Sequence, residues 1–283
     1  MNGSADKAFF GPRQEDLRRI AEALGTATAL LLELRHSAAQ PEFKNGGDPV
    51  TAADRAANEL LLRMLPRNGE GWLSEESKDD PSRLRKRRVW VVDPLDGTKE
   101  FVAGIPEWCV SVGLIEDGRA VAGGVSNPTT GEIFLGSLES GLHVIGNGKP
   151  KRDRSARDRA LVLASRSEVS RGLWKHLEGA SFAVQPVGSV AYRLASVAAG
   201  YADATWTLDP RHEWDVAAGV ALILAARGEV RALDGSPLVF NLPVPRFEGM
   251  VAFSPGGRKR FEKLPPELRG FNEPQPGRAY ALR

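Results

Sequence analysis

The sequence predicts a fold of mixed α and β type in two parts, an α+β part over residues 1–150 and an α/β part over residues 151–283. Three observations carry this. Two amphipathic helical segments stand first. A run of short apolar stretches separated by turn dipeptides follows. Beyond a charged tract, apolar strands alternate with helical periodicity.

"QEDLRRIAEALGTATALLLELRH", Gln14 to His36, places Leu17, Ile20, Ala21, Leu24, Leu30, Leu31 and Leu34 at helical spacing. Gly46-Gly47-Asp48-Pro49 is a loop, after which Thr51 can cap a helix that Pro66 stops at about Leu65. Its core stripe is Ala53, Ala57, Leu60, Leu61 and Met64. "GWLSEES" (Gly71 to Ser77) is a short strand ending on acids, and "RVWVVDP" is the next strand. From Trp108 to Pro150, Asp117-Gly118, Asn127-Pro128, Gly131 and Asn147-Gly148 punctuate apolar runs, the pattern of a β-meander. The Lys149 to Arg159 tract mixes both charge signs and reads as a linker. After it, "ALVLAS" and "SFAVQPV" are strands around the helix "SRGLWKHLEG". The helix "SVAYRLASVAAG", the strand "DATWTL", the helix "DVAAGVALILAARG" and the strand "GEVRAL" complete the alternation.

Composition excludes several functions. Lys and Arg number 38 against 36 Asp and Glu, so no global basic surface argues for a nucleic-acid polymer. The basic cluster "RLRKRRVW", Arg83 to Trp90, is expected to be a solvated strand entrance. Cys109 is the one cysteine, so neither an intrachain disulfide nor a cysteine-based zinc site can form, as suits a cytoplasmic protein. No apolar run approaches the roughly 20 residues needed to span a bilayer, so no membrane partner is expected. The opening residues lack the charged and apolar regions of a secretory signal. "GLHVIGNGKP" lacks the glycine spacing and the Lys-Ser/Thr of a P-loop.

The chemistry concentrates in "WVVDPLDGTKEF", Trp90 to Phe101. Asp93 and Asp96 end an apolar strand at a turn forced by Pro94, and Gly97-Thr98 begin a helix whose first N–H groups lack partners. Paired carboxylates hold hard divalent cations, Mg²⁺ foremost, and a helix start accepts phosphate. Each acid alone has a plainer reading: Asp96 and Asp215 as caps, Asp48 in a turn, Glu75 and Glu76 in a solvated loop. The set decides. Four segments each put an acid at the edge of an apolar element, and clustered like charges need cations to neutralise them. The Asp-Pro-Leu-Asp spacing is one residue longer than the Asp-x-Asp of haloacid-dehalogenase phosphatases, which disfavours an aspartyl-phosphate route.

"GDPVTAAD", "SEES", "WVVDPLDGTKEF" and "EWDVAAG" resemble, in content and order, the motifs of the inositol monophosphatase superfamily of Mg²⁺-dependent, lithium-sensitive phosphomonoesterases. The resemblance implies a layered αβαβα sandwich and a small phosphomonoester substrate, and it admits a homodimer. It implies metal ligands at Glu75, Asp93, Asp96, Asp215 and the Leu95 carbonyl, serving two or more Mg²⁺ ions. It places a water-activating pair on Asp48 and Thr98, with Glu76 assisting through water. Gly97 and Thr98 would present N–H groups to the phosphate, and Gly188, Ser189 and Val190 would line the leaving-group pocket. An in-line attack by water with no covalent enzyme intermediate is implied. A silent phosphometabolite-binding relative is the non-enzyme alternative, but it would have no need of the Asp48–Thr98 pair.

Substrate choice within the superfamily lies among 3′-phosphoadenosine 5′-phosphate, inositol 1-phosphate and fructose 1,6-bisphosphate. Lys99-Glu100 after the threonine, "ASRSE" (Ala164 to Glu168) and Glu213 before Trp214-Asp215 resemble bisphosphate nucleotidases of the CysQ type. Glu168 departs from their histidine. No acid stands at Thr207 or Leu208, near where inositol phosphatases keep a glutamate for sugar hydroxyls. Lys99, Arg166 and Arg193 are the candidate contacts for a second phosphate. His212 is expected at the surface or the cleft rim, Trp214 beneath the metal site and Cys109 in the core.

Overall fold

A computed structural model describes residues 13–36, 42–43, 49–50, 52–146, 159–177 and 180–261. Helix α1 (Gln14–His36) precedes a short antiparallel pair, β1 (Glu42–Phe43) with β2 (Pro49–Val50), and helix α2 (Ala52–Met64). The strands β3 (Gly71–Ser74) and β4 (Arg88–Asp96) follow, then the short helix α3 (Thr98–Ala103). A meander completes the first sheet: β5 (Cys109–Glu116), β6 (Arg119–Asn127), β7 (Glu132–Ser137) and β8 (Gly141–Ile145). The six strands stand in order β3-β4-β5-β6-β7-β8, with β3 and β4 parallel and the remaining pairs antiparallel.

Helix periodicity and strand alternation meet across this sheet. Leu17, Ile20, Leu24 and Leu31 of α1 and Ala53, Ala57 and Leu61 of α2 bury against Trp90 and Val92 of β4 and Val110, Val112 and Leu114 of β5. Val89 and Val91 point to the opposite face and join a second core. Because both faces of β4 are covered, its sequence reads as one apolar run with no alternation.

The second half contributes β9 (Ala160–Ser165), α4 (Arg166–Ser170), β10 (Phe182–Val187), α5 (Val190–Ala198) and β11 (Ala204–Thr207). It continues with β12 (Arg211–His212), α6 (Glu213–Ala225), β13 (Glu229–Ala232), β14 (Arg246–Phe247) and β15 (Met250–Phe253). Among the described residues β12 pairs with β14 alone, and a five-stranded sheet runs β10-β9-β11-β15-β13. Helices α5 and α6 fill the space between the two large sheets. Beyond the second sheet lies an aromatic cluster of Trp174, Phe182, Trp206 and Phe261, with Trp174 and Trp206 stacked at 4.9 Å, beside α4 and a 3₁₀ turn over Lys175–Leu177. The layers therefore run αβαβα.

Helix α6 approaches the first sheet through glycines. A Cβ added at Gly113 would stand 2.8 Å from the Ala217 Cβ, and one at Gly123 would stand 2.7 Å from the Ala218 carbonyl oxygen. Removing two side chains from the sheet lets the helix backbone rest directly on it. This seats the first turn of α6, with Asp215, beside the end of β4.

Three sequence expectations need correction. "SRGLWKHLEG" is not one helix: α4 ends at Ser170, and after a turn Lys175–Leu177 is, among the described residues of the segment, the one further helical piece, as 3₁₀. Gly172, at φ +79°, breaks the run. The cluster from Arg83 to Trp90 is not uniformly solvated. Arg83 is 1% exposed and is held by Asp79, Asn241 and the Leu242 carbonyl, while Arg88 pairs with Asp16 and Glu70. Strand β15 was not anticipated; Met250–Phe253 is a short apolar segment buried by antiparallel partners on both sides. Thr51, the expected cap of α2, lies outside the described residues, as does the expected linker up to residue 158. Among the described residues, no helix is long and apolar enough to cross a membrane.

Candidate active site

The site begins with an irregularity in β4. Pro94 has no N–H to give the ladder, and the pairing with β5 slips between Asp93, opposite Ser111, and Asp96, opposite Cys109. In a regular strand, residues three apart face opposite sides. The extra residue removes that alternation, and Asp93, Leu95 and Asp96 all line one cleft. Gly97 follows at φ +96°, with the Glu107 carbonyl 3.0 Å from where a Cβ would be. Only glycine suits both the left-handed backbone and that contact. The cleft is further lined by Glu75 from the end of β3, Thr98, Lys99 and Glu100 from α3, and Asp215 from α6.

Glu75, Asp93 and Asp215 each offer a carboxylate oxygen within 4.8 Å of the others. Their charges are in conflict. Burial, then Glu75, Asp96 and Asp215, holds the Asp93 carboxyl well above its ordinary range. Burial, then Asp96 and Glu75, pushes Asp215 up to about 8. Burial raises Asp96 too, although hydrogen bonds from Ser189 and Ala191 oppose it. Such a cluster stays ionised at neutral pH only with a cation in it, and its all-oxygen donor set suits Mg²⁺. The residues therefore fit one Mg²⁺ site. Asp93 Oδ1 accepts the Leu95 N–H at 3.0 Å, and Asp215 Oδ2 accepts the His212 N–H at 2.9 Å. Those bonds fix both carboxylates in orientation.

Asp96 is tied to the second half. Ser189 Oγ and the Ala191 N–H each donate to Asp96 Oδ2 at 2.7 Å, and Ser189 Oγ also accepts the Tyr192 N–H as the cap of α5. Ser189 has φ +43°, an uncommon conformation for a residue with a side chain. Buried Cys109 places Sγ 3.2 Å from the same hydroxyl. Thr98 Oγ1 lies 3.2 Å from the Leu95 carbonyl and 3.4 Å from Asp54 Oδ2. Asp48, the expected partner of Thr98, lies outside the described residues.

The remaining predicted residues divide. Gly188, Ser189, Val190, Lys99 and Arg193 line the cleft. The Gly188 N–H and Arg166 both donate to Glu107 Oε2, so Arg166 is already ion-paired. Glu76 stands beside Glu75, with its N–H on Ser74 Oγ at 3.4 Å. His212 is exposed and stacks on Trp214 at 4.5 Å, and Trp214 packs on the central core. Glu213 is buried and accepts the Asn241 and Leu242 N–H groups. Glu168, where the sequence departs from a histidine, is fully buried and gathers Trp174 Nε1, the Leu208 and Asp209 N–H groups and Arg211. Sequence reasoning missed Asp54, Arg211, Ser165 and Ser167. Asp54 had a signal, because it falls on the buried face of α2 among alanines. Ser165 and Ser167 had one too, since both lie in the "ASRSE" segment, whereas Arg211 had none.

The chain matches the inositol monophosphatase family over residues 13–252. It is 34% identical over 252 residues to a 3′-phosphoadenosine 5′-phosphate phosphatase of Mycobacterium leprae, covering 84% of this chain and 89% of that protein. It is also 34% identical over 215 residues to an inositol-1-monophosphatase of Mesorhizobium japonicum, covering 69% of this chain and 76% of the relative. The solved structure of CysQ from Bacteroides thetaiotaomicron superposes with a TM-score of 0.69 at 26% identity, over 84% of this chain and 97% of that one. With the αβαβα layers and the carboxylate cluster in place, these matches show that the chain belongs to the inositol monophosphatase family and is a Mg²⁺-dependent phosphomonoesterase.

Proposed function

We propose that the chain hydrolyses 3′-phosphoadenosine 5′-phosphate to AMP and phosphate. The observation that carries this reading is the charge layout of the cleft. The carboxylates of Glu75, Asp93, Asp96 and Asp215 share it with the cationic side chains of Lys99, Arg193 and Arg211. A cation bound by the acids takes the reacting ester, and the basic lining suits a second anionic group on the same molecule. The Mycobacterium leprae relative supports the choice. The Thr207 and Leu208 region supports it too. Thr207 is buried with its hydroxyl accepting the Met250 N–H at 3.2 Å, Leu208 is apolar, and the adjoining acid, Asp209, is ion-paired with Arg171.

We infer the following roles. Glu75, Asp93 and Asp215 hold one Mg²⁺, and Asp96 with the Leu95 carbonyl extends the set to a second. Bound there, Mg²⁺ supplies Lewis acidity and a water of lowered pKa. The Thr98 hydroxyl orients the attacking water, with Asp54, whose Oδ2 lies 3.4 Å from it, as the carboxylate partner among the described residues in the role expected of Asp48, and Glu76 assists. The Gly97 and Thr98 N–H groups position the phosphate, and Gly188, Ser189 and Val190 wall the leaving group. The test is a kcat/KM comparison of 3′-phosphoadenosine 5′-phosphate, inositol 1-phosphate and fructose 1,6-bisphosphate at fixed Mg²⁺, with and without lithium. The adenosine bisphosphate should lead. A preference for inositol 1-phosphate of about tenfold, worth ~1.4 kcal/mol of transition-state discrimination, overturns the substrate and leaves the metal chemistry standing.

A further inference from the structure

Two carboxylates of the first half hold the start of α5. Asp96 accepts the Ser189 hydroxyl and the Ala191 N–H, and Glu107 Oε2 accepts the Gly188 N–H at 2.7 Å. Asp96 lines the cleft and Glu107 does not. Glu107 stands in the connection between α3 and β5, which the first half fixes from several sides. The Ile105 N–H donates to the Glu100 carbonyl at 2.9 Å, and Asn127 Nδ2 donates to the Pro106 carbonyl at 3.1 Å. Trp108 is fully buried, edge-on to Phe101. The Glu107 carbonyl itself lies 3.0 Å from where Gly97 would carry a Cβ. The Glu107 side chain is thus an arm on a rigid base that reaches into the second half.

The group it grips is a demanding one. Gly188 is buried, and a Cβ there would stand 2.5 Å from Glu100 Cγ and Cδ. A buried N–H in such a place is costly to leave without an acceptor. Ser189 follows at φ +43°, a conformation that persists only where the surroundings impose it. Held so, it aims Oγ at Asp96 Oδ2, 2.7 Å away. With Gly188 released, Ser189 can relax to an ordinary backbone conformation, and its hydroxyl leaves Asp96. Arg166 also donates to Glu107 Oε2 and offsets the charge of the arm.

We propose that Glu107 is a positioning residue for metal binding: by accepting the Gly188 N–H it keeps Ser189 in its strained conformation, and through the Ser189 hydroxyl it orients Asp96. This rests on the reading that Asp96 belongs to the Mg²⁺ ligand set. The working feature is the reach of the Glu107 side chain, not its charge.

Two variants separate reach from charge. Glu107→Gln keeps the length and an oxygen acceptor and loses the charge. Glu107→Asp keeps the charge and, one methylene shorter, withdraws from the Gly188 N–H. Mg²⁺ affinity of the full chain is read by titration calorimetry, with folding checked by thermal melts in EDTA. Glu107→Asp should weaken Mg²⁺ binding about tenfold, the scale for losing a contact that orients a metal ligand, and Glu107→Gln should keep most of the wild-type affinity. Combined with Ser189→Ala, which acts through the same hydroxyl, Glu107→Asp should add nothing, so the double variant should bind about tenfold and not about a hundredfold more weakly than wild type. A Glu107→Gln that binds more weakly than Glu107→Asp makes the charge, or the pair with Arg166, the working feature and overturns the proposal. Additive losses in the double variant overturn it too. So does a Glu107→Asp that fails to fold where Ser189→Ala folds, because Glu107 is then a structural residue. Asp96→Asn tells the two readings apart. If it binds Mg²⁺ as tightly as wild type, Asp96 is no ligand, and the ligand set fails and takes the proposal with it. If it binds weakly while folded Glu107→Asp binds as wild type does, the ligand set stands and the positioning role alone is refuted.

Discussion

Removing the metal should make the protein's stability fall with pH, and Asp215→Asn should reverse much of that fall. The folded-state pKa of Asp215 is about 8 against an ordinary 3.8, a rise of about four units caused by burial, then Asp96 and Glu75. One unit corresponds to about 1.4 kcal/mol, so ionising Asp215 in the metal-free fold costs at most ~6 kcal/mol. Its side chain is only partly buried at the cleft wall, and water there screens the field, which brings the expected cost to ~2–3 kcal/mol. The sign follows from proton binding. A carboxyl with a raised folded-state pKa holds its proton more tightly in the folded chain, so its contribution is complete below about pH 4 and is lost as pH rises toward 8. Glu70, which burial raises but Arg19 and Trp90 pull down to about 2, titrates below that window. At ~2–4 °C per kcal/mol for a chain of this size, Asp215→Asn should raise the Tm in EDTA at pH 8 by ~5–10 °C. The wild type should regain this with Mg²⁺ and the variant should not. The assay is a set of thermal melts from pH 5 to 8 in EDTA and in Mg²⁺. A wild-type Tm in EDTA that is flat across that range, or an Asp215→Asn variant less stable than wild type at pH 8, refutes the account of the cluster.

Thr98→Ala should lower kcat by ~10² or more while Mg²⁺ affinity, read by titration calorimetry, stays near wild type; collapse of metal affinity would make Thr98 a structural residue. Ser189→Ala removes both the hydrogen bond to Asp96 and the α5 cap. It should cost ~1–2 kcal/mol in denaturant unfolding and weaken Mg²⁺ binding about tenfold, and an unchanged Mg²⁺ affinity would show that the serine does not orient Asp96. Gly123→Ala pushes a Cβ to 2.7 Å from the Ala218 carbonyl oxygen and should destabilise the fold by ~1–3 kcal/mol, so a neutral result would mean α6 sits farther from the sheet.

What the sequence made legible follows from where each signal is stored. The long elements α1, α2 and α6 and the strand β4 were readable because burial imposes periodicity on local sequence, and Leu17, Ile20 and Leu24 display it directly. The carboxylates of the site were readable because Asp93 and Asp96 stand within a few residues of each other beside a proline. The short pieces were not. "SRGLWKHLEG" has helical composition, but Trp174 is claimed by the aromatic cluster outside the second sheet, and Gly172 breaks the helix before it. Arg83 and Glu213 looked like surface charges or substrate signatures because their partners, Asn241 and Leu242, lie far away in the chain. Arg211 enters the cleft through Glu168, 43 residues earlier, a pairing that no local pattern encodes.

The central claim is that the Glu75–Asp93–Asp215 cluster binds the cation on which hydrolysis depends. The direct measurement is phosphate release from 3′-phosphoadenosine 5′-phosphate and from a generic phosphomonoester. It is made with wild type and Asp93→Asn, in EDTA and across a Mg²⁺ titration, with folding checked by circular dichroism. The account predicts no release in EDTA, saturable activation by Mg²⁺ in the wild type, and loss of at least ~10³-fold in a folded Asp93→Asn at every Mg²⁺ concentration. Turnover by the wild type in EDTA, or near-normal turnover by folded Asp93→Asn, contradicts it.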